Sequence, residues 1–275
     1  MSLARGLRRV SGELRRLNNA APIVTIRRLA SEARGFEATP PYDPRQAAER
    51  LGLRVDFRSV EAKGLLESED PKEGRILIGL TADRRPPTIE RQNFLVAHEL
   101  GHFLLRGELH KRVPPDFFAT ESPDEEWLCN QFAAEFLMPA NGFGAALRRA
   151  PGDPESLLAL CKRHSVSIKA GVIRAYELTR LWDKSFVAVF WKCSGSNLTK
   201  EWSVPGDGVT FCGDTSLISD ASKSNMETAG YRLVTLKGEK RRLWCRTVSL
   251  LREETFARNQ YRDHYLLTLC VHKEQ

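Results

Sequence analysis

Residues 98 to 102 read His98-Glu99-Leu100-Gly101-His102, two histidines four positions apart with a glutamate beside the first. Apolar residues flank the box, Phe94-Leu95-Val96-Ala97 before it and Phe103-Leu104-Leu105 after it, so the stretch reads as helix. A helix turns about 100° per residue, which sets positions i and i+4 on one face about one turn apart. Two imidazoles so placed can share one Zn²⁺, and Glu99 at the edge of the same site can take a proton from a water that the ion activates. The chemistry expected is metal-assisted hydrolysis, with His98 and His102 as ligands and Glu99 as the catalytic base. A five-residue pattern also arises by chance in ordinary helices. The apolar context, the space left by Gly101 and a second acid-bearing helix downstream argue for the metal.

A catalytic zinc takes three protein ligands and leaves one position for water, so a third ligand must come from elsewhere. Ser122-Pro123-Asp124-Glu125 reads as a helix start, with Ser122 as N-cap, Pro123 in the first turn and Glu125 closing a capping box. That helix is predicted to run to Met138 and to stop at Pro139. With Glu125 turned back to the Ser122 amide, Glu126 is the better third ligand. Asn130, one turn on, shares its face and can orient a liganding imidazole by a hydrogen bond. Ala133 and Ala134 let this helix lie close to the first. His110, eight residues beyond His102, is the competing third ligand. His110 and Arg91 are also the candidate donors to a tetrahedral oxyanion.

Other elements must carry these groups. Residues 3 to 17 place Leu3, Leu7, Val10, Leu14 and Leu17 on one stripe with arginines mostly off it, an amphipathic helix expected to pack on its own domain. A second helix is expected over Pro22 to Ala33, and Asp43-Pro44 opens a short third. Leu53 to Phe57 and Arg75 to Leu80 read as strands, with a turn between them near Asp70-Pro71. Arg75, Ile76, Leu77 and Ile78 are the candidate sheet edge for an extended substrate, and Gly64 suits a close backbone approach. The box helix is expected to start at Thr88 and end near Gly107. Glu155 to Trp182 is helical with a break at Ser165-Val166-Ser167. From Ser185 on, Phe186–Trp191, Val209–Cys212, Tyr231–Leu236, Leu243–Leu251 and Tyr265–Val271 read as strands.

The chain has 275 residues, 41% hydrophobic and 28% charged, which excludes a disordered or fibrous protein. No apolar run approaches the roughly 20 residues of a membrane helix, so no membrane partner is expected. The net charge of +7 permits acidic partners, but no clear nucleic-acid motif accompanies it, and a generally basic soluble protein is the simpler reading. The six cysteines are widely spread without a C-x-x-C pair, and no secretory leader is read, so a reducing compartment and a cytoplasmic location are expected.

Three segments in order resemble the ImmA/IrrE family of metallo-endopeptidases, in the gluzincin group: Ala47 to Val55 before a strand, Arg91 to Leu105 around the box, and Glu126 to Pro139. The likeness covers roughly residues 40 to 180. It implies zinc held by His98, His102 and Glu126, with Glu99 as general base. It further implies cleavage of a helix-turn-helix (Xre-type) repressor, derepressing stress-response or mobile-element genes. A non-cleaving metal-binding regulator, which sequesters a partner or binds DNA, is the alternative. Lys162 to Leu178 is similar to the family's helical piece and to the turn and second helix of a DNA-binding motif, and equally to a packing helix pair.

The fold class expected is α+β: a zincin-like peptidase domain over residues 1–150, of helices and a small antiparallel-edged sheet, then a helix-turn-helix-like extension over 151–183. A β-rich domain over 184–275 follows, with the size and strand content of a GAF-like sensor.

Overall fold

The fold is taken from a computed structural model, which describes residues 9–18, 21–35, 39–58, 64–67, 74–82, 84–110, 122–149, 152–180, 186–194, 197–206, 208–212, 218, 220–221, 227–236, 238–250 and 264–271. Helices and strands both contribute, in an α+β arrangement. The helices are α1 (Arg9–Asn18), α2 (Pro22–Arg34), α3 (Pro44–Arg50), α4 (Ile89–Leu109), α5 (Pro123–Leu137), α6 (Gly142–Arg149), α7 (Pro154–Arg163) and α8 (Ile168–Arg180). The strands are β1 (Arg54–Arg58), β2 (Gly64–Leu66), β3 (Arg75–Gly79), β4 (Phe186–Ser194), β5 (Asn197–Val204), β6 (Val209–Cys212), β7 (Thr228–Leu236), β8 (Glu239–Leu250) and β9 (His264–Val271). Two compact units result: residues 1–139 with 161–167, and residues 140–160 with 168–275. The sequence places a boundary near Asp183-Lys184, whereas α8 packs on β4 and β5 and so goes with the C-terminal sheet.

In the first unit, α4 and α5 lie side by side and α2 packs on α5. Asp43 caps α3 as its sequence predicts, accepting from the Arg45 and Gln46 amides. The apolar stripe of α1 is buried at Val10 and Leu14, and the Ser11 amide donates to Asp124 Oδ2 at 2.8 Å. Leu3 and Leu7 of the predicted stripe, and the turn expected near Asp70-Pro71, lie outside the described residues. The small sheet runs in the order β1-β3-β2, β3 being parallel to β1 and antiparallel to β2. This corrects the substrate-edge assignment: Arg75, Ile76, Leu77 and Ile78 belong to the central strand, with neighbours on both sides. The sequence hid this because β2 is three residues long and starts on a glycine, too short for a two-residue period to register.

His164 lies in the same unit, in the turn after α7. Its Nδ1–H donates to the Leu137 carbonyl at 2.7 Å, and its ring lies against Tyr42. Burial holds this imidazole below its ordinary value of 6.5, and Arg163 adds to the effect. The unfolded chain therefore binds a proton that the native chain refuses, so stability falls as pH drops below about 6.5. In thermal melts, His164→Gln should flatten this acid-side loss relative to wild type while keeping a donor to Leu137.

The second unit carries an antiparallel sheet ordered β5-β4-β9-β8-β7-β6. One face buries Val187, Val189, Trp191, Leu243 and Leu266. Trp191 Nε1–H is satisfied by Thr268 Oγ1 at 3.0 Å. On the other face Phe190 stacks between Trp202 and Tyr265, and Lys169 of α8 sits over the Trp202 ring. Strand β5 escaped the sequence reading because Lys200 stands between Leu198 and Trp202 on its half-buried side and interrupts the apolar period. The register of β8 and β9 sets Cys245 opposite Cys270, and the two form a disulfide. The wide cysteine spacing, read as a sign of a reducing compartment, does not announce this pair; Cys129, Cys161, Cys193 and Cys212 lie outside any disulfide.

Candidate metal centre

Two helices build the site. Gly101 lies where α4 meets α5, and a Cβ added there would stand 3.2 Å from Phe132 Cβ and 3.3 Å from the Cys129 Cα. A glycine at this point lets the helices approach closely enough for side chains from both to converge. From α4 come His98 and His102, and from α5 comes Glu126, their nearest ligand atoms all lying within 4.8 Å of one another. The two imidazole Nε2 atoms are 3.2 Å apart. Glu126 places Oε2 at 3.3 Å from His98 Nε2 and Oε1 at 3.0 Å from His102 Nε2.

The outer ring nitrogens decide what this cluster is for. His98 Nδ1 faces Asn130 Oδ1 at 3.1 Å, and His102 Nδ1 faces Glu125 Oε1 at 2.8 Å. Both partners are acceptors, so each Nδ1 carries the proton and donates outward. With both rings neutral, as when a metal is bound, that leaves two Nε2 lone pairs and one carboxylate pointing at a common centre with no donor among them. Such a donor set fits a divalent cation. Glu126 remains 51% exposed at its side chain while His98 is 12% and His102 9%, so the cluster opens to solvent on the carboxylate side. Burial works against charging His102, but Cys129, Glu125 and Glu126 outweigh it and push its pKa up to about 12. A cation bound at Nε2 would take the place of that proton facing Glu126, leaving Nδ1–H to Glu125. Burial pushes the neighbouring Cys129 thiol up to about 11, so it stays neutral, and its sulfur is not among the converging atoms.

Glu125 does not play the part its position suggested. Ser122 makes no side-chain cap bond; its hydroxyl donates to Asp124 Oδ1 instead. The Glu125 carboxylate is buried, and its Oε1 accepts from both His102 Nδ1 and Arg106 Nε, each at 2.8 Å. Burial opposes its charge, yet these two donors hold it below the usual carboxylate range. Sequence reasoning thus missed two supporting residues. The signal was present, since Arg106 lies one turn beyond His102 on the same face of α4.

Glu99 is buried at 7% exposure beside the cluster. Burial raises its pKa above the usual carboxylate range, Glu126 adding to this while His102, Arg106 and the Leu66 amide pull it back. A carboxylate raised in this way is better matched to passing a proton near neutral pH. His110 is not brought to the site. Helix α4 runs through Gly107 to Leu109, and eight residues at about 1.5 Å each carry His110 roughly 12 Å past His102. Arg91 is exposed, two turns before His98, and outside the cluster. The predicted helix-turn-helix-like segment forms α7, a turn with Ser165 at φ 50° and α8. On α8, Arg174 is buried and paired with Glu177, and Lys169 is engaged over Trp202.

Residues 48–176 match the peptidase family described as the IrrE N-terminal-like domain. Over 118 residues the chain is 35% identical to the radiation response metalloprotease IrrE of Deinococcus radiodurans, an alignment covering 40% of this chain. The chain spans about a third (33%) of the length of that curated relative. In fold it is similar to a Mycobacterium tuberculosis transcriptional regulator, with a TM-score of 0.50 at 14% identity, covering 90% of this chain and 76% of the other. No helix among the described residues is long and apolar enough to cross a membrane.

Proposed function

We propose that the chain, whose residues 48–176 match the IrrE N-terminal-like peptidase family, is a zinc-dependent endopeptidase acting on a helix-turn-helix repressor. The observation that carries this reading is the convergence of His98 Nε2, His102 Nε2 and the Glu126 carboxylate beside the buried Glu99. Zinc is favoured by the donor set: two imidazole nitrogens and one carboxylate, with a side open to solvent, are the ligands of a catalytic zinc that keeps one position for water.

His98, His102 and Glu126 would hold the ion, while Asn130 and Glu125 fix the ring orientations through Nδ1. Bound there, zinc acidifies water and polarises the scissile carbonyl. Glu99 takes the proton from the attacking water and delivers it to the departing amine. A protein substrate is in keeping with the relative's name, a radiation response metalloprotease. An extended peptide would lie beside β2, the strand at the margin of the small sheet, and not β3, with the Leu66 amide left to Glu99. The C-terminal antiparallel sheet is read as a GAF-like sensor that regulates the peptidase unit.

Co-expression with candidate helix-turn-helix repressors, followed by mass spectrometry of the products, tests this reading. Two repressor fragments should appear, with one zinc per chain by elemental analysis, and chelation should stop the cutting until zinc is returned. An intact repressor held in a stoichiometric complex would instead make the chain a sequestering regulator.

A further inference from the structure

Glu99 leans on β2, the shortest of the described strands. A Cβ built on Gly64 would lie 2.7 Å from Glu99 Oε1, 3.3 Å from Cγ and 3.4 Å from Cδ, closer than a real side chain tolerates. The Gly64 backbone is not in the left-handed region, so alanine could adopt its conformation, and what its Cβ would displace is the carboxylate end of the Glu99 side chain.

Two residues on, the Leu66 backbone N–H donates to the same carboxylate. The ladder explains why that donor is available. Glu67 N–H donates inward to the Arg75 carbonyl at 2.9 Å. Successive amides along a strand point to opposite sides, so the Leu66 N–H emerges from the outer edge of β2. No other described strand pairs with that edge. An edge donor of this kind is ordinarily left to water or to another chain; here the Glu99 carboxylate takes it.

We propose that β2 is the cradle of the catalytic base. Gly64 leaves the room that the Glu99 carboxylate occupies, and the Leu66 amide fixes the direction it faces. Gly64 is then a positioning residue for hydrolysis, acting through Glu99. The catalytic consequence rests on the peptidase reading; the contact itself does not.

Thermal unfolding of four full-length proteins tests the contact: wild type, Gly64→Ala, Glu99→Ala and the double variant. Alanine on a strand is ordinarily no worse than glycine. With Glu99 present, Gly64→Ala should lower Tm by at least about 2 °C. In the Glu99→Ala background the same change should be neutral or raise Tm. An equal loss in both backgrounds, or no loss in either, overturns the proposal.

The catalytic half is read on a fluorogenic peptide spanning the cut found in the co-expressed repressor. Gly64→Ala should lower kcat about 100-fold by misplacing the base, with KM and zinc content unchanged. Its cost should shrink in a Glu99→Asp background, where the carboxylate is one methylene further from the strand. Wild-type kcat in Gly64→Ala overturns the positioning role. If wild type cuts no repressor, the peptidase reading fails, and the four melts still decide the contact.

Discussion

Glu99→Gln should lower the rate of repressor cleavage by about 10²- to 10⁴-fold while the protein still binds one zinc. The amide keeps the size of the side chain but accepts no proton. Its position outside the three converging ligand atoms predicts that metal affinity survives. Cleavage kinetics on the co-expressed repressor, beside elemental analysis of the purified variant, read both halves. Loss of zinc in this variant would show Glu99 to be a ligand and remove it from the role of base. Full activity would mean that the water is activated by some other group.

The second large effect is at Glu125. Glu125→Ala removes the acceptor of His102 Nδ1–H and leaves Arg106 without its carboxylate. Breaking a buried ion pair by deleting one partner costs about 3–5 kcal/mol; the lower figure is expected because Arg106 keeps some access to water. The Arg106 side chain is 23% exposed and that of Glu125 only 3%. Zinc affinity should fall about 10- to 100-fold, since His102 loses the group that orients its ring. Glu125→Gln retains an oxygen facing His102 and should lose markedly less affinity, although it weakens the contact with Arg106. Competition against a chelating indicator measures the affinities, and urea unfolding measures the stability. Equal zinc affinity in wild type and both variants would leave Glu125 with a purely architectural role.

What the sequence made legible follows from which forces are local. His98, Glu99 and His102 announce themselves because a helix has a fixed pitch, so spacing along the chain is position in space. Glu126 was reached by elimination through a capping box that does not form. Asp124 takes the Ser122 hydroxyl, which frees Glu125 to reach His102. A local hydrogen bond was assumed where a tertiary one won, and only the packing of α4 on α5 decides between them. Strand β2 was invisible for a different reason. Three residues carry no period, and the pairing that defines them comes from β3, about a dozen residues along the chain. Cys245 and Cys270, 25 residues apart, likewise meet only through the register of two strands.

The dependence of the centre on one helix–helix spacing has a consequence for ion choice. Both imidazoles ride on α4 and the carboxylate rides on α5, so a shift of α5 moves Glu126 relative to both rings at once. The seam at Gly101 and Phe132 then bears on the radius of cation accepted, together with the donors themselves. Variants selected to prefer a larger ion such as manganese or cadmium should therefore include changes along that seam even where the coordinating side chains stay intact.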